Sequence, residues 1–383
     1  MNVVFVIQLL FFASGAAYSA LMITYLFAWK KIRKFFPDPS ENSTFISVVI
    51  AARNEEKNIG CCISSILAQR YPPELFEIIV VNDFSTDKTF EIAARIKETF
   101  PVKNLKVLNL SDSVAGHSGS KKLALHYGIS SAKGKLIVTT DADCTAPVLW
   151  LKSIADFFEN NNSRFISGPV MVESNNFSEH FQSLELMGLI GTGASSMALK
   201  YPLMCNGANL AFTKELYLKL RNENQFHSEP LSGDDAFLML QAWKDNPDSL
   251  SFLKSPEAII STHPAQSLNE FLKQRIRWAS KVKVYSAAHI KFAGIIVILM
   301  HIAVVISGAA FFSSHSFSVL FPVLIFIKFL FDFLFINEVS LFFKKGNLIF
   351  YFIPVFILHL LYVPLIAIIS LFVNVDWKGR RKL

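Results

Sequence analysis

The chain has 383 residues, is 52% hydrophobic and 17% charged, and carries a formal net charge of +7 with a mean hydropathy of +0.39. That is too apolar for an ordinary soluble protein and too polar for a pure membrane bundle. Four cysteines, Cys61, Cys62, Cys144 and Cys205, show no CxxC spacing, which speaks against a structural zinc or a disulfide framework and suits a reduced compartment.

The apolar residues are unevenly placed. Val3 to Trp29 carries no charge and is long enough to span a bilayer. Its basic residues, Lys30 to Lys34, follow it, whereas a cleaved signal peptide carries them in front. This places the N-terminus outside and the next domain in the cytoplasm. Three further apolar segments, Phe292 to Phe312, Phe317 to Ile336 and Leu348 to Val373, fill the C-terminal quarter. Three crossings there would leave the basic tail "WKGRRKL" outside, against the positive-inside tendency, unless one segment is re-entrant. Lys328 and Asp332 lie one helical turn apart within a span and can neutralise each other. The basic clusters sit beside spans, so an anionic membrane face, rather than nucleic acid, accounts for the net charge. The expected organisation is a span and basic flank (1–35), a cytoplasmic domain (44–267), an amphipathic interfacial helix (268–290) and a membrane region (291–383).

The cytoplasmic segment reads as strands alternating with helices. "ISVVIAA" and "FEIIVVN" are apolar runs of the kind buried on both faces of a parallel sheet, and "LKVLNL" and "KLIVTTD" are the third and fourth strands. Between them, Asn54 is placed to cap a helix through Leu67, Ser85 or Asp87 to cap "KTFEIAARIKETF", and "GSKKLALHYGISSAKG" forms a third helix. Such α/β sheets bind ligands beyond the carboxyl ends of their strands, where Arg53, Asn82, Asp83, Asp141 and Asp143 fall. Downstream, "RFISGPVMV" reads as a strand, Phe177 to Leu199 as a helix rich in small residues, and "SLNEFLKQRIRWASKVKVYSAAHIK" as an amphipathic helix.

Each candidate site residue also has an ordinary structural reading. An isolated Asp-Ala-Asp is most often a solvated turn. At a strand's carboxyl end, Asp141 and Asp143 suit a hard divalent cation shared with substrate phosphates. Asp83 can accept from a ribose or base, or simply belong to a capping turn. Arg53 and Glu55 either line the same pocket or begin a helix. Asp234 and Asp235 open a helix whose dipole favours acids there, or supply a general base. Arg277 suits a pyrophosphate and Trp278 a sugar face, and both also suit a membrane surface. A metal-dependent transferase, a nucleotidyltransferase and a membrane scaffold or transport protein without activity all remain open on these residues.

The ordered set "VVIAARNEE", "VVNDFSTD", "GSKKLALHYG", "TTDADC", "SGDDAF" and "QRIRW", between N- and C-terminal spans, resembles the membrane-bound family-2 glycosyltransferases. That group includes cellulose, hyaluronan and poly-N-acetylglucosamine synthases and ceramide glucosyltransferase. The resemblance implies an α/β domain of GT-A type, a nucleotide-sugar donor, usually UDP-linked, Mg²⁺ or Mn²⁺, and inversion at the anomeric carbon. It also implies an integral-membrane enzyme, of bacterial cell-membrane type, acting on a lipid or glycan acceptor. By motif, Asp83 contacts the nucleotide with Lys121 nearby, Asp141 the donor, and Asp143 the metal. Asp235 matches the acid that deprotonates the acceptor, with Asp234 where Glu is common. Gln274, Arg277 and Trp278 match QxxRW, which holds diphosphate and acceptor. Asn82 stands where the family often has an Asp. The compact domain and few spans set the chain apart from the large processive synthases.

Overall fold

The computed structural model describes residues 3–38, 43–99, 104–112, 119–222, 234–283, 285, 287–313 and 319–373. His117, His227, Gly233 and the basic tail lie outside the described residues. In chain order the first elements are α1 (Val3–Lys31), β1 (Ile46–Ala52), α2 (Ile59–Leu67), β2 (Phe76–Asn82), α3 (Thr89–Thr99) and β3 (Leu105–Asn109). Next come α4 (Lys121–Ser131), β4 (Leu136–Asp141), β5 (Cys144–Thr145), α5 (Trp150–Asn160), β6 (Phe165–Ser167) and β7 (Val170–Val172). Then follow α6 (Phe177–Ala198), β8 (Leu210–Thr213), α7 (Lys214–Asn222), α8 (Asp234–Asp245), β9 (Leu250–Phe252) and β10 (Ile260–Thr262). The last four are α9 (Leu268–Ser280), α10 (Ala288–Ser313), α11 (Leu320–Phe342) and α12 (Phe352–Phe372).

The chain divides into two compact units. The α/β unit comprises residues 32–173 and 197–263. Its main sheet runs β3-β2-β1-β4-β8-β6-β9. The first four of these strands are mutually parallel, as expected for βαβ crossovers, and β8 runs antiparallel to both β4 and β6. Ile46, Val48, Val49, Ile50, Ile78, Ile79, Leu136, Ile137 and Val138 are fully buried. Each such side chain contributes about 1.5–3 kcal/mol. The continuous apolar runs are therefore explained by helices covering both faces.

Three local expectations are corrected. "RFISGPVMV" is two strands in two different sheets, since β7 joins a small sheet ordered β5-β10-β7. At the break Pro169 has no N–H to continue a ladder, and Gly168 is required because a Cβ there would overlap the buried Asn209 side chain. Asn54 does not cap α2, which starts five residues later. It is left-handed (φ 52°), and its Oδ1 accepts from the Thr86 backbone N–H at 2.8 Å. The amphipathic helix ends at Ser280, because the Lys-Val alternation beyond it has period two and no longer supplies a helical stripe.

The helical unit comprises 1–31, 174–196 and 264–383. Four of its helices are long and apolar enough to cross a membrane: Val4–Lys31, Ala288–Ser313, Leu320–Phe342 and Gly346–Phe372. Tyr18, Met300, Ala303, Val304, Leu324, Phe352 and Phe356 form its core. The Lys328–Asp332 pair is present, with Nζ and Oδ2 2.7 Å apart. Tyr18 of α1 donates to the other oxygen of Asp332 and accepts from Lys328 at 3.3 Å. The buried charges are thus paired and hydrogen-bonded, the condition for keeping them in an apolar bundle.

Candidate active site

The loops after β1 and β2 are tied together backbone to side chain. Asn54 N–H donates to Ser85 Oγ (3.1 Å), Glu55 N–H to Thr89 Oγ1 (2.7 Å) and Glu56 N–H to Asp87 Oδ2 (3.1 Å). Asp87 also caps α3 by accepting from the Thr89 N–H at 3.0 Å. These bonds hold the Asp87 carboxyl below its ordinary range, against the burial that would raise it. The latch fixes Arg53 and Glu55 at the carboxyl ends of the strands, and Arg53 Nη1 donates to the Asp83 carbonyl at 3.1 Å.

Asp83 is 1% exposed and follows β2, where its N–H donates to the Ala52 carbonyl at 2.8 Å. Phe84 is left-handed (φ 53°), and its ring packs where a Cβ on Gly119 would fall, 2.5 Å away. The same Cβ would overlap Asp83 Oδ1. Glycine is therefore required there, so that the chain entering α4 can pass against the Asp83 carboxylate. Ser120 caps α4 by accepting from the Leu123 N–H at 3.1 Å. The cap places Lys121 at the first helical position, where its ammonium pairs with Asp141 Oδ1.

Asp141 ends β4 and Asp143 lies in the turn before β5. The Cys62 thiol donates to the Asp141 carbonyl at 3.5 Å, and the Cys144 thiol to Asp143 Oδ1 at 3.6 Å. Burial, then the Asp141 and Glu55 carboxylates, push Asp143 up to about 6, while Lys121 and the Cys144 thiol pull it back. The same burial and acids raise both thiols, so Cys62 and Cys144 stay protonated and unreactive. Negative charge is thus gathered here beyond what Lys121 neutralises. Among the described residues no three His, Cys, Asp or Glu side chains form a complete metal-binding group. Two acids short of a closed cage fit an ion shared with substrate phosphates.

Asp235 reaches the same strand from α8. Its Oδ2 accepts from the Gly207 N–H at 3.2 Å and its Oδ1 from the Ala236 N–H at 2.9 Å. The Gly207 carbonyl accepts from Thr139 of β4 at 3.0 Å. The Asp234 backbone begins α8, and its side chain is outside the described residues. Gln274, Arg277 and Trp278 are half-buried on α9, in the helical unit. Sequence reasoning missed the Asn54–Thr86 latch, Gly119 and the Gly207 bridge. Only the glycines left a signal, each beside a polar cap, in "GSKK" and "CNGAN".

A parallel-rich sheet with a lysine and clustered acids at its strand ends is an α/β domain of GT-A type. The fold is shared with a mannosyltransferase from Pyrobaculum calidifontis solved with GDP-Man and Mn²⁺, with a TM-score of 0.59 and 18% identity, covering 93% of this chain and 99% of that one. The sequence matches Glycosyl transferase family 2 over residues 47–220 and Glycosyl transferase family group 2 over residues 136–373. The chain belongs to the family-2 glycosyltransferases. It is 26% identical over 239 residues to Glycosyltransferase AglE of Haloferax volcanii, covering 61% of this chain and 71% of that protein. It is also 26% identical over 241 residues to the poly-beta-1,6-N-acetyl-D-glucosamine synthase of Staphylococcus epidermidis, spanning 61% of this chain and 53% of that protein. The nucleotidyltransferase and inactive-scaffold readings give way to these matches.

Proposed function

We propose that the enzyme transfers a hexosyl or N-acetylhexosaminyl unit from a UDP-linked donor to a lipid or glycan acceptor at the membrane face, with inversion. The observation that carries this reading is the gathering of Asp143, Asp141 and Glu55 beside Lys121, just beyond the strand to which Asp235 is tethered. In this reading Asp83, Arg53 and Glu55 line the nucleotide pocket, and Asp141 and Lys121 meet the donor. Mg²⁺ or Mn²⁺, when held by Asp143 and Asp141, supplies positive charge to the departing diphosphate. Asp235, oriented by two backbone N–H groups, takes the proton from the acceptor hydroxyl, with Asp234 beside it in the chain. The acceptor oxygen then bonds to the anomeric carbon as the bond to the diphosphate breaks, and the leaving group takes the electron pair. Gln274 and Arg277 hold the diphosphate, and Trp278 stacks on the acceptor. The α/β domain (44–267) faces the cytoplasm, and residues 291–383 lie in the membrane.

The direct test uses full-length protein in detergent micelles with UDP-GlcNAc, UDP-Glc or GDP-Man, each with Mn²⁺ or Mg²⁺. The expected result is metal-dependent UDP release that Asp143→Asn abolishes. Release of GDP alone would move the donor assignment. No release from any donor, by either protein, would overturn the reading.

A further inference from the structure

Between the glutamine and the arginine–tryptophan pair of "QRIRW" stands Arg275, a position that the QxxRW pattern leaves free. In the helical unit it is the most enclosed charge on α9, with its side chain 5% exposed. Its Nε and Nη2 donate to Glu185 Oε2 of α6 at 2.8 and 2.6 Å. The other oxygen of Glu185 accepts from the Tyr362 hydroxyl of α12 at 3.1 Å. On its remaining side Arg275 donates through Nη1 to the Gln274 side-chain oxygen. Its guanidinium carbon lies 4.4 Å from the centroids of both the Phe271 and Trp278 rings. Residues 271, 275 and 278 share one helix face by their spacing, so the guanidinium is layered between two rings. Phe181, Phe271 and Tyr362 close around the pair with ring centroids 5.5–5.9 Å apart.

We propose that Arg275, anchored by Glu185 and Tyr362, is a positioning residue that sets the side-chain geometry of Gln274 and Trp278. The planar guanidinium serves three jobs at once: it forks onto one carboxylate, bonds the Gln274 amide oxygen, and offers a flat cation to the indole. A lysine ammonium has three donors but no planar fork or flat face, so it cannot reproduce this geometry. Both oxygens of Glu185 are engaged within the cluster, which holds the anchor in one orientation. Tyr362 belongs to a helix long and apolar enough to cross a membrane, so a displacement of α12 reaches the motif through two hydrogen bonds. The consequence for transfer rests on the acceptor role given to Trp278 above; the geometry of Arg275 does not.

The experiment uses full-length protein labelled with 5-fluorotryptophan, read by fluorine NMR in micelles. The chain has five tryptophans, and the Trp278 signal is assigned by its loss in Trp278→Phe. Glu185→Gln and Tyr362→Phe are expected to shift the Trp278 signal and leave the others in place, and Glu185→Asp to return it toward wild type. Tyr362→Phe keeps the ion pair and serves if Glu185→Gln fails to fold. With the donor that wild type turns over, sugar incorporation into lipid extract falls about tenfold in both variants. A Trp278 signal unmoved in Tyr362→Phe and in folded Glu185→Gln overturns the proposal, as does an equal shift of all the tryptophans. A shifted signal with unchanged incorporation upholds the positioning and removes Trp278 from the acceptor role. Absence of wild-type turnover counts against the proposed function only, since the fluorine readout needs no substrate.

Discussion

The two ends of the main sheet treat their buried acids in opposite ways. At the amino end, Glu77 of β2 is 3% exposed and saturated. Lys106 pairs with it at 2.7 Å, and the Ser47 hydroxyl and the Lys133 N–H donate to it at 2.7 and 2.6 Å. Burial would raise this carboxyl, yet these donors hold it below its ordinary range. At the carboxyl end, Asp143 is half-buried and faces Asp141 and Glu55, and burial with those acids raises it to about 6. A satisfied acid closes a structure. An acid left in excess is suited to meeting positive charge, and this is the end of the sheet where the proposed site lies.

Substitutions can break this contrast in order of their effect on transfer. Asp143→Asn should lower metal-dependent transfer about a thousandfold. In the metal-free protein at pH 7.5 it should raise the melting temperature by about 3 °C. The sign follows from the raised carboxyl: its stabilising contribution is complete below its ordinary value of about 4 and is lost as pH rises through about 6. By the same logic Mn²⁺ affinity, read by calorimetry, should weaken below about pH 6 as this acid takes a proton. Asp235→Asn should keep donor binding and cost transfer about a hundredfold; lost donor binding would remove Asp235 from the base role. Gly119→Ala, which pushes a methyl into Asp83 and Phe84, should raise the donor KM about tenfold with little change in kcat. Glu77→Gln should leave transfer per folded molecule unchanged and cost about 2 kcal/mol of stability in thermal melts. That contribution is present above the ordinary carboxylate range and is lost as pH falls through the lowered Glu77 value.

Three of the four parallel strands, β1, β2 and β4, are readable in the sequence because burial on both faces leaves unbroken apolar runs, whereas the edge strand β3 is mostly half-buried. Asp83, Asp141 and Asp143 could be placed at strand ends for the same reason. The small sheet was not readable: its strands are two or three residues long, too short for any period to appear. Asn54 looked like a cap because capping chemistry and latching to Thr86 use the same side-chain oxygen. Arg275 was invisible for a different reason. Basic residues on an amphipathic helix are usually solvated, and only the packing of Glu185 and Tyr362 against it shows that this one is enclosed.

The place of the acid pair at the junction between two sheets has a consequence for synthesis. Asp141 is the last residue of β4, while the turn carrying Asp143 is pinned from the far side by Cys144 and Thr145 pairing with Thr262 and Ser261. Those partners leave the ribosome more than a hundred residues after the acids do. The parallel strands can form early from local crossovers, but the spacing of the two carboxylates depends on a contact of long sequence separation. A nascent chain therefore carries the sheet before it carries a finished acid pair, and the site is completed only when the segment leading into α9 has been made.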